Sequence, residues 1–227
     1  MENKLLPALP AADQQFLRPY LVPMSFKTGA IIVQPGDAMR LCYFPCGGMI
    51  SLLSTTENGG AVEVGYTGRE GMVGLPAILG KNEMPYQALV QADCECLAAD
   101  KDAVVALFKR CGAFHDYLLR YFYALHRQIA QTCVCNHFHT IEARLCRWLA
   151  VMSERSGNRH LTLTQEFLAH MLGVQRTSIG LIANSMQRAG IIRYSRGRVE
   201  IIDNDRLVGS ACECYFIVRK EYESLYK

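Results

Sequence analysis

The chain changes its hydrophobic rhythm once. From Ser25 to about Ala99, short runs of alternating apolar residues are cut at brief intervals by glycine and proline: "AIIVQPGD", "CYFPCGGMISLLS", "TENGGAVEVGYTGREGMVG" and "QALVQADCECLA". A period of two with turn residues this close together predicts an antiparallel sandwich or barrel. After Asp100 the interruptions thin and helical spacing takes over. No proline or glycine occurs from Phe114 to Cys135, and Leu118, Phe122, Leu125, Ile129, Thr132 and Asn136 recur at steps of four and three. Such a narrow seam suits a helix in a two-stranded coiled coil and is read as a dimer contact through Leu118, Phe122, Leu125 and Ile129. The alternative is that it covers the sheet of its own domain.

A second pattern lies in "LTLTQEFLAHMLGV" and the stretch that follows it, "MLGVQRTSIGLIANSMQRAGII". Thr164 is placed as a helix cap, with Gln165 and Glu166 in a first turn where an acid suits the helix dipole. Leu168, Met171 and Leu172 form an inward face. Gly173 supplies a tight turn, Val174 plugs the angle between two helices, and Ile179, Ile182 and Met186 bury the second helix. That accounts for the apolar positions and leaves Gln175, Arg176, Thr177 and Ser178 at the outward N-terminal end of the second helix. Hydrogen-bond donors and small hydroxyls there are what reading of a DNA major groove requires. Beyond Gly190, "IIRYSRGRVEII" predicts two short strands around a Ser195-Arg196-Gly197 turn, a basic hairpin whose Arg196 and Arg198 can rest on a phosphate backbone.

Composition narrows the class. The 227 residues suffice for two modest domains, and a hydrophobic share of 50% with 20% charged residues is that of a globular chain. No run approaches the roughly 20 apolar residues of a membrane span, and "MENKLLPALPAADQQ" lacks the features of a signal peptide, which predicts a cytoplasmic protein without a membrane partner. The net charge is only +3, but it is unevenly placed. Between Ser156 and Ile202 six arginines (159, 176, 188, 193, 196, 198) face two glutamates, while the remainder carries 18 basic and 19 acidic residues. A local cationic segment beside a near-neutral domain fits a nucleic-acid-binding module.

These residues together resemble the Crp/Fnr family of bacterial transcription regulators. The resemblance runs from about Phe26 to Asp203 and rests on "IIVQPGD", "YFPCGGMISLL", "EVGYTGREGMVGLP", "CNHFHTIEARLCRWL" and "TQEFLAHMLGVQRTSIGLIANSMQRAGII" in that order. It implies an α+β chain: a cyclic-nucleotide-binding-like β-roll, a double-stranded β-helix, over 1–110; a dimerisation helix over 111–138; and a Crp-type winged helix-turn-helix over 139–227. It further implies a homodimer on palindromic double-stranded DNA, with RNA polymerase as a second partner. Arg176 falls at the position from which the family reads guanine, and Gly180 matches the glycine four residues on. Some members follow that arginine with a glutamate and place a second arginine past the glycine; here Thr177 and Leu181 stand instead, which implies a different half-site. Gln175 stands where the family often has a capping serine and is free to contact a base or phosphate.

The ligand pocket departs further. Members that bind cyclic AMP hold its ribose with a glutamate and its phosphate with an arginine, positions that align here with Met72 and Tyr86, next to Gln87. A thioether and a phenol cannot replace those charges, so cyclic AMP is not the expected signal and the effector of the roll is an unidentified small molecule or redox change. Glu70 is the residue that a shifted register would bring in.

Ten cysteines in a chain with no export signal are expected to be reduced. Cys94-x-Cys96, Cys133-x-Cys135 and Cys212-x-Cys214 are close pairs, and His137 and His139 follow the second. Residues two apart point to opposite sides of a helix, so only Cys133 with His137, or Cys135 with His139, could share an ion at a spacing of four. The expectation is no metal, no cofactor and buried packing roles, the alternatives being thiol- or metal-based redox sensing. No nucleophile, base and orienting acid assemble: His115, His126, His160 and His170 are read as surface or interface residues and "TENGG" as a hairpin turn, so an enzyme is not expected. A ligand-binding module that docks a protein instead of DNA is the remaining alternative. Trp148 is expected at the joint between the dimer helix and the DNA-binding domain, and "CYFIVRKEYESLYK" as a final helix of no assigned role.

Overall fold

The computed structural model describes residues 2–225; Met1, Tyr226 and Lys227 of the expected domains and final helix lie outside the described residues. A short helix α1 (Ala11–Leu17) precedes a roll made of β1 (Leu21–Phe26), β2 (Ile31–Val33), β3 (Leu41–Pro45), β4 (Met49–Thr55), β5 (Ala61–Thr67), the helical turn α2 (Leu75–Ile78), β6 (Gln87–Ala92) and β7 (Cys94–Asp100). These strands form two antiparallel sheets, β1-β7-β3 and β2-β6-β4-β5. The alternation seen in the sequence breaks down in β4, where Met49–Leu53 is buried on both faces. One face of this strand fills the roll while the other is covered by a later helix, so a period of two has no solvent side to report.

Helices α3 (Lys101–Phe108) and α4 (Ala113–Phe138) follow. Asp100 caps α3, its carboxylate accepting from the Asp102 and Ala103 amides. Along α4, Phe114, Leu118, Tyr121, Ala124, Leu125, Gln128 and Thr132 face inward onto the roll and the C-terminal elements. The approach is so close at Gly71 that a β-carbon there would overlap the Tyr121 ring. The Tyr121 hydroxyl donates to the Met72 carbonyl at 3.1 Å and meets the Thr67 hydroxyl at 2.7 Å. Gln128, fully buried, accepts from the Tyr66 amide at 2.7 Å.

The C-terminal part comprises α5 (Ile141–Ser156), β8 (His160–Thr162), α6 (Gln165–Leu172), α7 (Arg176–Arg188), β9 (Ile192–Ser195), β10 (Arg198–Ile201), α8 (Asn204–Gly209) and α9 (Cys214–Glu223). Thr140 caps α5. The wing is a three-stranded sheet, β8-β10-β9; β8, hidden in the sequence inside the run before Thr164, is too short to show a period. Trp148 on α5 is buried and meets Phe167 of α6 edge-on, with ring centroids 6.2 Å apart, and so anchors the helix-turn-helix to α5. Helix α9 returns to α4, where Gln128 Nε2 donates to the Tyr222 hydroxyl at 3.2 Å. The roll and α5 are joined by a Glu70–Arg155 ion pair, and the Arg155 guanidinium lies over the rings of Tyr66 and Tyr222 at 5.6 and 5.3 Å. None of the described helices is long and apolar enough to cross a membrane.

The seam read from the sequence as a dimer contact for the most part covers the chain's own domain, the stated alternative. Leu118 and Leu125 are buried within the chain's own core, and Ile129 is half-buried, because the roll takes the face of α4 that the four-three spacing marks. Of the four, only Phe122 is exposed. The apolar side chains that α4 offers to solvent are Leu119, Phe122, Tyr123, Val134 and Phe138, one stripe about a residue away from the predicted one.

Candidate nucleic-acid interface and roll cavity

The turn between α6 and α7 forms for local reasons. The Thr164 hydroxyl accepts from the Phe167 amide at 3.1 Å and caps α6. Gly173 ends it in the left-handed region (φ 62°), its amide directed to the carbonyls of Ala169 and His170 while the Val174 amide reaches Ala169 at 2.9 Å. A β-carbon at Gly173 would also sit 3.2 Å from Val62 Cγ2 of β5. Gly173→Ala is accordingly expected to lower stability by about 1–2 kcal/mol through the left-handed penalty, with Val62→Ala restoring only the steric part; urea denaturation of the single and double variants checks this.

Helix α7 buries Ile179, Ala183 and Met186 and starts in the open. Gln175 precedes it with no side-chain cap bond; Gln175, Arg176 and Thr177 are exposed, Ser178 is half-buried, and Leu181, 72% exposed, projects one turn further on. Beside this end lies the wing, whose two-residue turn places Arg196 (φ 49°) and Gly197 (φ 74°) in left-handed conformations, as tight hairpins require. The wing is tied to the segment before α6 by the Leu163 amide to the Gly197 carbonyl (2.8 Å) and the Tyr194 hydroxyl to the Leu163 carbonyl (2.9 Å), and to α7 by the Tyr194 amide to Gln187 Oε1 (2.7 Å). Arg193 pairs across the strands with Glu200 at 2.7 Å. Arg193, Arg196 and Arg198 line a groove of about 710 Å³ along the wing, shared with His160, which the sequence reading did not place there. The structure thus sets Thr164, the α7 N-terminus and the wing arginines around one short stretch of chain.

A cavity of about 920 Å³ opens between the roll and α4. Met72 and Tyr86 line it, as the alignment implied, among Leu52, Val73, Leu75, Leu79, Met84 and Pro85, and its wall also carries Lys81 and Glu83. Gln87 is not in this wall; its amide donates to Gln34 Oε1 at 2.9 Å because strand alternation turns it away from its neighbour Tyr86. Glu70 does not reach the cavity either, being buried against Arg155. Phe122, Leu125, His126 and Ile129 of α4 form part of the wall. Whatever fills the roll touches the long helix directly.

The cysteines divide. Cys133 and His137 are exposed, and Cys94 lies 3.3 Å from Cys96, sulfur to sulfur, in the roll. Cys135, His139, Cys212 and Cys214 converge at the end of α4. The Cys135–His139 spacing was legible, but nothing in the sequence says that the Cys212 pair meets it.

A roll of this topology, a long helix along it and an exposed helix-turn-helix with a wing define a DNA-binding regulator with a cyclic-nucleotide-binding-like domain. The comparisons agree: the cyclic nucleotide-binding domain family matches residues 23–111 and the Crp-like helix-turn-helix domain matches residues 143–209. No curated protein matches the chain significantly. Among solved structures, one described as a transcriptional regulator of the Crp/Fnr family from Eubacterium rectale superposes with a TM-score of 0.73 at 18% identity, over 91% of this chain and 97% of its own. FixK2 from Bradyrhizobium japonicum gives 0.70 at 12% identity, covering 85% and 98%, and TTHB099 from Thermus thermophilus gives 0.67 at 18%, covering 84% and 99%. With its two matched domains in this order over more than half its length, the chain belongs to the Crp/Fnr family of transcription regulators.

Proposed function

We propose that the chain works as a homodimer that binds an imperfect DNA palindrome, with Arg176, Gln175 and Thr177 entering the major groove and Thr164, Ser178, Leu181, Arg196 and Arg198 completing the contact. The observation that carries this reading is the outward N-terminal end of α7, whose polar side chains make no hydrogen bond or ion pair among the described residues. Two such helices related by a two-fold axis meet successive grooves about 34–36 Å apart. Residues 1–110 act as sensor, 111–138 as dimerisation helix and 139–227 as DNA-binding unit in this scheme, with RNA polymerase as the further partner that regulation in the cytoplasm requires. The signal is a small molecule other than cyclic AMP: an apolar cavity with no arginine in its wall favours an apolar ligand body over a cyclic phosphate. Because α4 forms part of that wall, occupancy biases the pose of the helix and hence of the two reading heads.

Support for the dimer is the exposed stripe of Leu119, Phe122, Tyr123 and Val134 on α4. A Tyr123→Glu/Val134→Glu double variant is expected to sediment as a monomer and to bind a palindromic operator, recovered by selecting genomic fragments, roughly 100-fold more weakly through lost bivalency. Retention of the dimer by this variant, or recovery of fragments without two-fold symmetry, would sink the proposal.

A further inference from the structure

Four side chains from two distant stretches of chain meet where α4 ends. Cys135 occupies the last turn of α4 and His139 its C-cap; Cys212 and Cys214 flank Glu213, at the start of α9. The three sulfurs and an imidazole nitrogen all lie within 4.8 Å of one another, with Cys135 Sγ 3.5 Å from Cys212 Sγ and Cys214 Sγ 3.5 Å from His139 Nδ1. We propose that these four residues bind one zinc ion tetrahedrally, and that the ion pins α9 to the hinge between α4 and α5.

The geometry selects a single ion. Zinc bonds of about 2.3 Å to sulfur and 2.0–2.1 Å to nitrogen place neighbouring ligand atoms of a tetrahedron roughly 3.5–3.8 Å apart. The two 3.5 Å contacts meet that spacing already, and the longest separation needs about 1 Å of contraction. In a multi-iron cluster the thiolates are spread over different irons by the cluster's own width, so a set in which every pair is this close fits one metal instead. Three thiolates and one imidazole make a soft, closed donor set of the kind that holds structural zinc. All three cysteines are buried and His139 is half-buried, which leaves no open coordination position.

The surroundings are those of a ligand set. Glu213 Oε1 lies 3.0 Å from His139 Nε2, the carboxylate partner that orients a ligating histidine and leaves Nδ1 facing the sulfurs. Gln131 Nε2 donates to Cys214 Sγ at 3.1 Å. A zinc ion with three thiolates carries a net negative charge, and two buried arginines of α5 stand ready for it. Arg147 is within electrostatic reach of Cys135 and Cys212, and Arg144 of Cys135; in both the guanidinium Nε has no hydrogen-bond partner. Arg147 also faces Glu63 of the roll. Because His139 ends α4 and Thr140 caps α5, the ion would sit on the segment through which α4 and the DNA-binding helices communicate; that regulatory consequence rests on the proposed function, whereas the site itself does not.

The test begins with the full chain, purified under reducing conditions without chelator. Elemental analysis should find roughly one zinc per chain, and cobalt exchanged into the site should give the visible bands of a tetrahedral ion with thiolate ligands. Cys214→Ser and His139→Ala should weaken zinc binding at least ~10-fold, and Glu213→Gln, which removes only the orienting carboxylate, about 10-fold; Cys133→Ser, at an exposed position outside the set, should leave it unchanged. Stripping the ion should speed tryptic cleavage within α9. Protein that stays metal-free after reconstitution with zinc chloride, iron accompanied by acid-labile sulfide, a Cys135–Cys212 disulfide in protein kept reduced, or equal loss in Cys133→Ser would each overturn the site. The wild-type cobalt spectrum decides the matter even if a variant fails to fold, and metal content is read without DNA, so failure of operator binding leaves this result standing.

Discussion

Arg176→Ala is expected to abolish discrimination at one base pair of each half-site while sparing most of the affinity for random DNA. The guanidinium stands exposed at the first position of α7 and among the described residues makes no hydrogen bond or ion pair, only an electrostatic contact with Tyr194, so its removal should cost the structure little. A bidentate arginine–guanine contact contributes ~1–3 kcal/mol, which is a loss of about 5- to 150-fold per half-site. Titrations of an operator and of a scrambled duplex at several salt concentrations separate the outcomes. A specific contact shows as a collapse of the operator-to-random ratio, whereas a phosphate contact lowers both affinities equally and reduces the salt slope by about one.

Arg155→Met is expected to lower the unfolding free energy by about 3 kcal/mol. Arg155 bridges parts of the chain that are far apart in sequence: it pairs with Glu70 of the roll and lies over Tyr66 of β5 and Tyr222 of α9. Breaking a buried pair by removing one partner costs ~3–5 kcal/mol because the remaining charge loses its counter-ion, and the lower end applies since the Arg155 side chain keeps 19% of its exposure and Glu70 also accepts from the Gly68 amide at 3.0 Å. In a chain of this length the melting temperature should fall by roughly 6–12 °C. Glu70→Gln/Arg155→Met should regain most of that loss, as the carboxylate charge is removed together with its cation. A double variant as unstable as the single one would show that the cation, through the two rings, and not the pair, joins the roll to α5. Denaturant titrations followed by tyrosine fluorescence and by circular dichroism report whether the two parts still unfold together.

Local patterns settled much of this protein before any coordinates. The alternating strands, the helix free of proline and glycine, the Thr164 cap and the Gly173 turn are written in short-range chemistry, where a residue's neighbours in sequence are its neighbours in space. The outward polar group Gln175 to Ser178 was legible for the same reason: once the apolar positions of α7 are assigned inward, helical geometry directs the rest. Met72 and Tyr86 were placed in the roll cavity by the family resemblance alone, since no local period or turn signal marks either as a wall residue.

What the tertiary structure alone decided are the choices between surfaces that look equivalent in one dimension. An amphipathic helix announces its apolar face but not what covers it, so only the packing of α4 against the roll shows that Leu118 and Leu125 turn inward and that Leu119, Tyr123 and Val134 remain outside. The commitment of Glu70 to Arg155, the turn of Gln87 away from the cavity, and the meeting of Cys135 and His139 with Cys212 and Cys214 join residues 53 to 85 positions apart, or hinge on a single step of strand register. Long-range juxtaposition depends on how whole elements dock, and no period, cap or turn signal along the chain encodes that docking.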